Sequence, residues 1–327
     1  MSPAPLTLSV VVPSHDTRDL TLACLASLRR ASPPGTQVVL VDDGGSDGTA
    51  EAVAAHDPDV LLAAWPEAVG FTRAANRGLA LATGDVVLLL NSDTEVDGAG
   101  LAAVLHRFAA EPRLGIAGAR LHYPDGSSQW SGGREPTLLW LFALASGAAS
   151  LLGRSALYRR LRPASGTERK GPSEVGWVTG AAMAIRRSVW QSVGPFDEAF
   201  RFYGQDLDLC ARVRQAGFRV ELLPDFRVLH HHGATIRQEG EQTVRSGGGE
   251  QHLELLWTDL LRWARKSHGE RWAQRGAGAL RAGATLRLLG RASLRPFVSA
   301  ECRSALREAD AAVRRAAARV RAPTADE

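Results

Sequence analysis

Five consecutive apolar residues, Val86-Val87-Leu88-Leu89-Leu90, run straight into a polar cluster, Asn91-Ser92-Asp93-Thr94-Glu95. A strand with one solvated face alternates apolar and polar side chains. This run does not, so it reads as a strand buried on both faces. Strands of that kind lie inside parallel sheets that helices cover on each side. The polar cluster then falls at the carboxyl end of the strand, where open α/β sheets bind their ligands. An oxygen-bearing Asn-x-Asp there suits a divalent cation, and a cation there suits a diphosphate.

The flanking sequence has the same logic. Leu8 to Val12 is an apolar β-rich run ended by Pro13. Leu20, Cys24 and Leu28 then recur at helical spacing until Pro33-Pro34-Gly35. Val38 to Val41 is a second short strand, and it ends in Asp42-Asp43-Gly44-Gly45-Ser46-Asp47-Gly48-Thr49. Ser46 or Asp47 can cap the helix that follows. Val60 to Ala63 predicts a third strand, Phe71 to Ala82 a helix, Leu101 to Ala110 another, and Ile116 to Ala119 a further strand. Strand alternating with helix predicts an α/β fold with a mainly parallel central sheet and helices on both faces.

Beyond Ala119 the pattern loosens. Residues 124–173 read as an insertion rich in Gly, Ser, Pro and Arg, with the apolar segment Leu138–Leu152 inside it. Order returns with the small apolar stretch Trp177 to Ile185. A helix within Phe196–Gly217 follows, and then two short strands, Val220–Leu223 and Phe226–Leu229. The expected division is a domain over 1–245 and a helical Ala/Leu/Arg-rich extension over 246–327. In that extension Leu253, Trp257, Leu260, Leu261 and Ala264 share a face, with Arg262, Arg265 and Lys266 largely opposite.

The 327 residues carry a formal net charge of +4, an Arg excess that suits anionic partners such as diphosphates or an anionic membrane surface. The three cysteines, Cys24, Cys210 and Cys302, are far apart and odd in number. They predict no disulfide framework and a reducing compartment. No basic region with an apolar core precedes Leu8, so no signal peptide is expected. Leu138–Leu152 is too short to span a bilayer comfortably. The expected location is cytoplasmic, or peripheral on the inner face of the membrane.

Three further groups have the composition of a site. Asp42-Asp43-Gly44 places carboxylates at a strand end, where they can accept from a base N–H or a ribose hydroxyl, although Asp and Gly also favour a plain turn. No Gly-x-Gly-x-x-Gly follows, which argues against NAD. Phe202-Tyr203-Gly204-Gln205-Asp206-Leu207-Asp208 puts two carboxylates near a helix N-terminus. The helix dipole accounts for one of them more readily than for both. His230-His231-His232 ends an apolar strand, and one of the three as a metal ligand is the favoured reading over a core histidine.

In this order, over about residues 7 to 237, these segments resemble family 2 glycosyltransferases, the inverting enzymes of GT-A fold, and within them the rhamnosyltransferase-like subgroup. The residues that carry the resemblance are Val10-Val11-Val12-Pro13-Ser14, Val41 to Thr49, Gly70-Phe71 through Asn76-Arg77-Gly78, and Thr83-Gly84-Asp85. They continue with Leu90-Asn91-Ser92-Asp93-Thr94, Thr179-Gly180-Ala181-Ala182, Gly194-Pro195-Phe196-Asp197-Glu198, Gln205-Asp206-Leu207-Asp208-Leu209 and His230. The resemblance implies nucleotide binding by Pro13, Ser14, Asp42, Asp43, Asn76, Asn91 and Ser92. It implies a donor-sugar lining of Thr179, Gly180 and Gln205, and a metal, Mn²⁺ or Mg²⁺, on Asp93 and His230. It makes Asp206 the catalytic base. Asn91 stands where the family has an aspartate, and Gln205 where it usually has a glutamate.

The implied reaction transfers a sugar from a nucleotide-diphosphate donor, for which the subgroup suggests dTDP-rhamnose, to a glycan or lipid-linked glycan in cell-envelope polysaccharide synthesis. A cation offsets the charge developing on the leaving diphosphate while a carboxylate deprotonates the attacking hydroxyl, and the anomeric centre inverts. The helix N-terminus is expected to keep Asp206 ionised, as a ready but weak base. Sugar-phosphate nucleotidyltransferases need the same parts but usually have a Gly-rich loop where this chain reads Pro13-Ser14-His15-Asp16-Thr17. A non-catalytic nucleotide-sugar-binding protein is the other alternative. A processive synthase is not expected, because Arg262-Trp263 lacks the Gln-x-x that precedes it there. No nucleic acid partner is expected. Leu138–Leu152 and the helix from Leu253 are expected to pack on the domain or form a homodimer interface. The alternative is a face lying on the membrane, with Trp257 and Trp263 at interfacial depth.

Overall fold

The computed structural model describes residues 5–147, 171–200, 203–231 and 249–294, with single helical positions at 307, 311, 315 and 318. The described residues form two compact units. One comprises residues up to Arg134 with 171–200 and 205–231; the other comprises 135–147, 203–204 and the helices from 249.

The strands of the first unit are β1 (Leu8–Ser14), β2 (Gln37–Asp43), β3 (Leu61–Trp65), β4 (Val86–Leu90), β5 (Thr94–Val96), β6 (Leu114–His122), β7 (Gly132–Gly133), β8 (Ser173–Glu174), β9 (Trp177–Val178), β10 (Ala182–Arg186) and β11 (Arg219–His230). Its helices are α1 (Arg18–Ala31), α2 (Thr49–His56), α3 (Phe71–Leu81) and α4 (Gly98–Ala110), with α6 (Arg187–Val193) and α7 (Gln205–Gln215) later in the chain. The second unit contributes α5 (Leu138–Ser146), α8 (Gly249–His268) and α9 (Glu270–Leu294).

One sheet runs β3-β2-β1-β4-β10-β6-β11-β5, with β8 against β11, and β7 and β9 form a separate pair. β1, β2, β3 and β4 are parallel. β10 is antiparallel to β4 and β6, β11 is parallel to β6, and β5 is antiparallel to β11. The sheet is therefore mainly parallel. All five residues of β4 are buried. On one face Val10, Val12, Leu88 and Leu90 pack with Leu25 and Leu28 of α1 and Val104 and Phe108 of α4. On the other face α3 comes so close that a Cβ on Gly78 would lie 2.3 Å from Val11 Cγ1 and 2.8 Å from Val41 Cγ2. Helices thus cover both faces, and the ends of β1, β2 and β4 open on the same side.

Several local readings change. The small apolar stretch 177–185 is two strands, β9 and β10, parted by Thr179–Ala181, and β10 is antiparallel. Thr94–Val96 is an edge strand and not only a polar loop. The two strands expected around 220–229 are one, β11. It continues through Pro224 because the register against β6 shifts between Leu222 and Arg227, where no ladder N–H is required. Helix α2 starts at Thr49, and Asp47 Oδ1 accepts its N–H at 3.0 Å.

In the second unit α8 and α9 are joined at Gly269, whose φ of +83° suits glycine. Trp257, Leu260, Leu261, Trp263 and Ala264 of α8 are buried, as are Ala273, Ala277, Leu280 and Ala284 of α9. A Cβ on Gly283 would meet Phe142 O at 2.8 Å, so α9 and α5 are in close contact. Trp257 and Trp263 are among the buried residues, so they are not the outward-facing pair of the membrane alternative. Residues 148–152 of the apolar segment lie outside the described residues. No helix among those described is long and apolar enough to cross a membrane.

Candidate active site

The ends of β1 and β2 are laced together by backbone-directed carboxylates. Asp16 Oδ1 accepts from Ser46 N at 2.6 Å, and Asp47 Oδ2 accepts from Arg18 N at 2.7 Å. Asp16 adopts φ +48°, rare for a side chain other than glycine, which aims it across the crossing. Asp43 accepts from Val69 N and Gly70 N, one on each oxygen at 2.8 Å, and so fixes the start of α3. Asp42 Oδ1 accepts from Gly45 N at 3.2 Å. Burial raises the Asp42 carboxyl above its ordinary range, with Asp47 and Glu51 adding to the effect. An open cleft of about 460 Å³ lies beside this crossing, lined by Arg18, Ser46, Gly48, Glu51 and His56 among others. Neither Asp93, His230 nor Asp206 lines it.

Ser14 and Ser92 are buried, and their hydroxyls are used internally. Ser14 Oγ lies 2.8 Å from Thr21 Oγ1 and 3.1 Å from Thr17 Oγ1, and Thr17 Oγ1 lies 2.9 Å from Ser92 Oγ. This hydroxyl cluster ties the end of β1, where Pro13 sits, to the end of β4. Asn76 stands apart from it. Its amide accepts from Phe196 N and donates to Phe196 O, both at 2.9 Å, and donates to Glu198 Oε1 at 3.3 Å. Asn76 is an anchor for the segment before α7.

Past β4 the chain turns, and Thr94 Oγ1 donates to Asn91 O at 2.6 Å. Asp93 and His230 meet here, with His230 Nε2 3.2 Å from Asp93 Oδ1 and both residues buried. Edge pairing of Thr94 with His230 brings them together, and His231 N donates to Asp93 O at 2.9 Å. His231 itself pairs with Glu95 at 3.1 Å, and His232 lies outside the described residues. Asn91 Oδ1 is buried with no hydrogen-bond partner among the described residues. Among those residues no group of three or more His, Cys, Asp or Glu forms a complete cation cage. The donor set at hand, one carboxylate, one imidazole and one idle amide oxygen, fits a hexacoordinate cation that takes its other ligands from a diphosphate and water.

Thr179–Ala181 links this end to α7. Asn91 N donates to Ala181 O at 2.9 Å, and Gly180 N donates to Asp206 Oδ2 at 3.3 Å. Asp206 Oδ1 accepts from Leu207 N at 2.8 Å. Asp206 retains partial solvent access, but surrounding protein desolvates its carboxylate and pushes its pKa up to about 6, and the two backbone N–H groups only partly oppose that shift. The helix N-terminus therefore does not decide its charge, contrary to the expectation of a weak, fully ionised base. Asp208 is different: buried, and bonded to Arg212 at 2.8 Å, whose guanidinium also donates to the carbonyls of Val193, Gly194 and Pro195. Gln205 is buried beside Asp206, and its Oε1 has no partner among the described residues. Thr179 N donates to Ser131 O at 3.0 Å.

One participant carried no signal in the sequence. Gln129, in the Gly/Ser-rich insertion, bonds both His230 Nδ1 at 2.8 Å and His230 O at 2.5 Å. A lone glutamine among small polar residues has neither periodicity nor motif to mark it.

The family profile described as Glycosyl transferase family 2 matches residues 9–194. An N-acetylglucosaminyl-diphospho-decaprenol L-rhamnosyltransferase of Mycobacterium tuberculosis is 30% identical over 284 residues, covering 83% of this chain and 89% of that protein. The O-antigen biosynthesis protein RfbC of Myxococcus xanthus is 28% identical over 71% of this chain and 18% of its own length. Among solved structures, the mannosyltransferase PcManGT from Pyrobaculum calidifontis, in complex with GDP-Man and Mn²⁺, superposes with a TM-score of 0.59 at 18% identity, over 97% of this chain and 87% of that one. With its GT-A sheet, its matched residues and its relatives, the chain belongs to glycosyltransferase family 2 and is a glycosyltransferase of the rhamnosyltransferase-like type.

Proposed function

We propose that the enzyme carries out metal-assisted, inverting transfer of a sugar from a nucleotide-diphosphate donor, with dTDP-rhamnose the first to test, to a hydroxyl of a glycan or lipid-linked glycan in cell-envelope polysaccharide synthesis. The observation that carries this reading is the position of Asp206. Its carboxylate, with a pKa of about 6, is bonded to Gly180, and the next residue, Ala181, is bonded to Asn91 beside the Asp93–His230 pair. Base and leaving-group ends thus share one turn of backbone.

In this reading Asp42 and Asp43 flank the nucleoside, with Pro13 below it. Asn91 Oδ1 takes a donor hydroxyl or the cation, and Gln205 Oε1 and the Thr179–Gly180 turn meet the sugar. Asp93 and His230 hold Mn²⁺ or Mg²⁺, which when bound would offset negative charge on the departing diphosphate. Asp206 takes the proton of the acceptor hydroxyl. A base with pKa near 6 is mostly ionised at neutral pH yet far more basic than a surface carboxylate, the compromise general-base catalysis needs. Ser14, Ser92 and Asn76 act one step back, by holding β1, β4 and the 196–198 segment in place. The rhamnosyl donor and the lipid-linked acceptor are suggested by the printed activity of the mycobacterial relative.

The test is a panel of nucleotide sugars scored by thermal stabilisation with Mn²⁺ and with chelator, followed by transfer assays on a short polyprenyl-diphosphate glycan. A donor that stabilises only with metal and is turned over supports the reading. Metal-independent turnover, or no response to any nucleotide sugar, would sink it.

A further inference from the structure

Gln129 lies on the segment between β6 and β7, behind His230 as seen from Asp93. Its backbone is held on both sides: Gln129 N donates to Leu121 O at 2.8 Å, and Ser131 Oγ donates to Gln129 O at 3.2 Å. Its side chain is buried, and so is that of His230. The amide makes two bonds to one residue. Nε2 donates to His230 O at 2.5 Å, and Oε1 faces His230 Nδ1 at 2.8 Å.

The two contacts determine each other. A backbone carbonyl only accepts, so the amide group facing it must be the NH₂. Flipping the amide would set oxygen against oxygen. With Oε1 therefore toward the ring, Nδ1 must carry a hydrogen. The other ring nitrogen, Nε2, lies 3.2 Å from Asp93 Oδ1. In a neutral ring protonated at Nδ1, Nε2 has a lone pair aimed beside that carboxylate. Two lone pairs so placed repel each other until a cation, or a second ring proton donated to Asp93, comes between them.

We infer that Gln129 is a positioning residue for the cation: its amide fixes the Nδ1–H form of His230 and so presents Nε2, together with Asp93, as a preformed nitrogen–oxygen pair. The inference rests on the metal reading proposed above. It adds that the selection of the tautomer resides in the 124–134 segment, outside the strands that carry the ligands. The donor to the carbonyl locks the amide, the amide locks the ring, and the ring sets the direction of the lone pair.

Two measurements test it on the full chain. The first titrates Mn²⁺ alone and reads free Mn²⁺ by electron paramagnetic resonance. Gln129→Met, close in volume but without the amide, should weaken Mn²⁺ binding by about 10–100-fold, the usual cost of losing such an outer partner. Gln129→Glu keeps an acceptor opposite Nδ1 but sets oxygen against the His230 carbonyl, so it should lose less Mn²⁺ affinity than Gln129→Met. In a His230→Ala background, Gln129→Met should change nothing further. Unaltered affinity in Gln129→Met, or equal losses in the Met and Glu variants, would overturn the inference while leaving the metal reading standing. No Mn²⁺ binding by the parent enzyme would instead overturn the metal reading. The second measurement needs no metal: the side-chain ¹⁵N shifts of His230 at alkaline pH. Protonation at Nδ1 in the parent and a shift toward Nε2 in Gln129→Met is the expected result. A parent ring protonated at Nε2 alone would refute the inference directly, and this reading is interpretable even where a variant is less stable.

Discussion

Replacing Asp206 by asparagine should make the enzyme both slower and, above neutral pH, more stable. Burial holds the folded-state pKa at about 6 against an ordinary value of 3.8. The raised value means the folded protein favours the protonated carboxyl. Its contribution to stability is fully present below pH 3.8 and is lost as pH rises through 6. Above that, the buried charge costs roughly 2.2 × 1.36, or about 3 kcal/mol. Asparagine removes the charge but leaves one of the Gly180 and Leu207 N–H groups less well matched, so a net gain of about 1–3 kcal/mol is expected at pH 8. For a domain of this size that is about 2–10 °C in Tm. Turnover should fall by on the order of 10²–10⁴-fold, with donor binding nearly unchanged. The assay pairs thermal unfolding of both proteins at pH 4 and pH 8 with initial rates. The stability gap should close at pH 4. A variant equally stable at both pH values, or one retaining more than about a tenth of parent turnover, would refute the assignment of Asp206 as a desolvated base.

Further expectations follow from other contacts. In the parent enzyme kcat/KM should fall about tenfold from pH 7 to pH 5 as Asp206 takes up its proton, and a flat profile would contradict this. Asp208→Asn weakens the buried pair with Arg212 and should lower stability by about 2–4 kcal/mol, with kcat within a few-fold of the parent at a temperature where it is folded. Asp93→Ala should remove Mn²⁺ binding and most turnover while leaving Tm within a few degrees, read by spin resonance and calorimetry. Gly78→Ala forces a methyl into Val11 and Val41 and should cost about 1–3 kcal/mol in denaturant unfolding without altering the pH profile.

Much of the framework was legible because it rests on local signals. The buried runs of β1, β2 and β4 lack alternation, the helices between them have apolar spacing, and the carboxylates fall at strand ends where loops must turn. What could not be read depends on distant partners. β10 runs antiparallel because of where it lands between β4 and β6, which its own five residues do not encode. Pro224 would break a ladder in most strands, and only the register shift against β6 accommodates it. The basicity of Asp206 comes from the protein closing over it, only partly opposed by the N–H of Gly180, 26 positions away, whereas sequence proximity pointed only to the helix end. Trp257 and Trp263 read the same in sequence whether they meet lipid or protein, and only the folded helices show them buried. The roles of Ser14, Ser92 and Asn76 likewise turn on contacts made 75 to 120 residues apart or through the intervening Thr17.

The central claim is a single displacement at the anomeric carbon, with Asp206 opposite the leaving diphosphate. The most direct measurement is the anomeric configuration of the first product formed from a donor of known configuration, read by NMR before any later exchange. The account predicts inversion, abolished in Asp206→Asn. Retention of configuration, or inversion at undiminished rate in the variant, would contradict it.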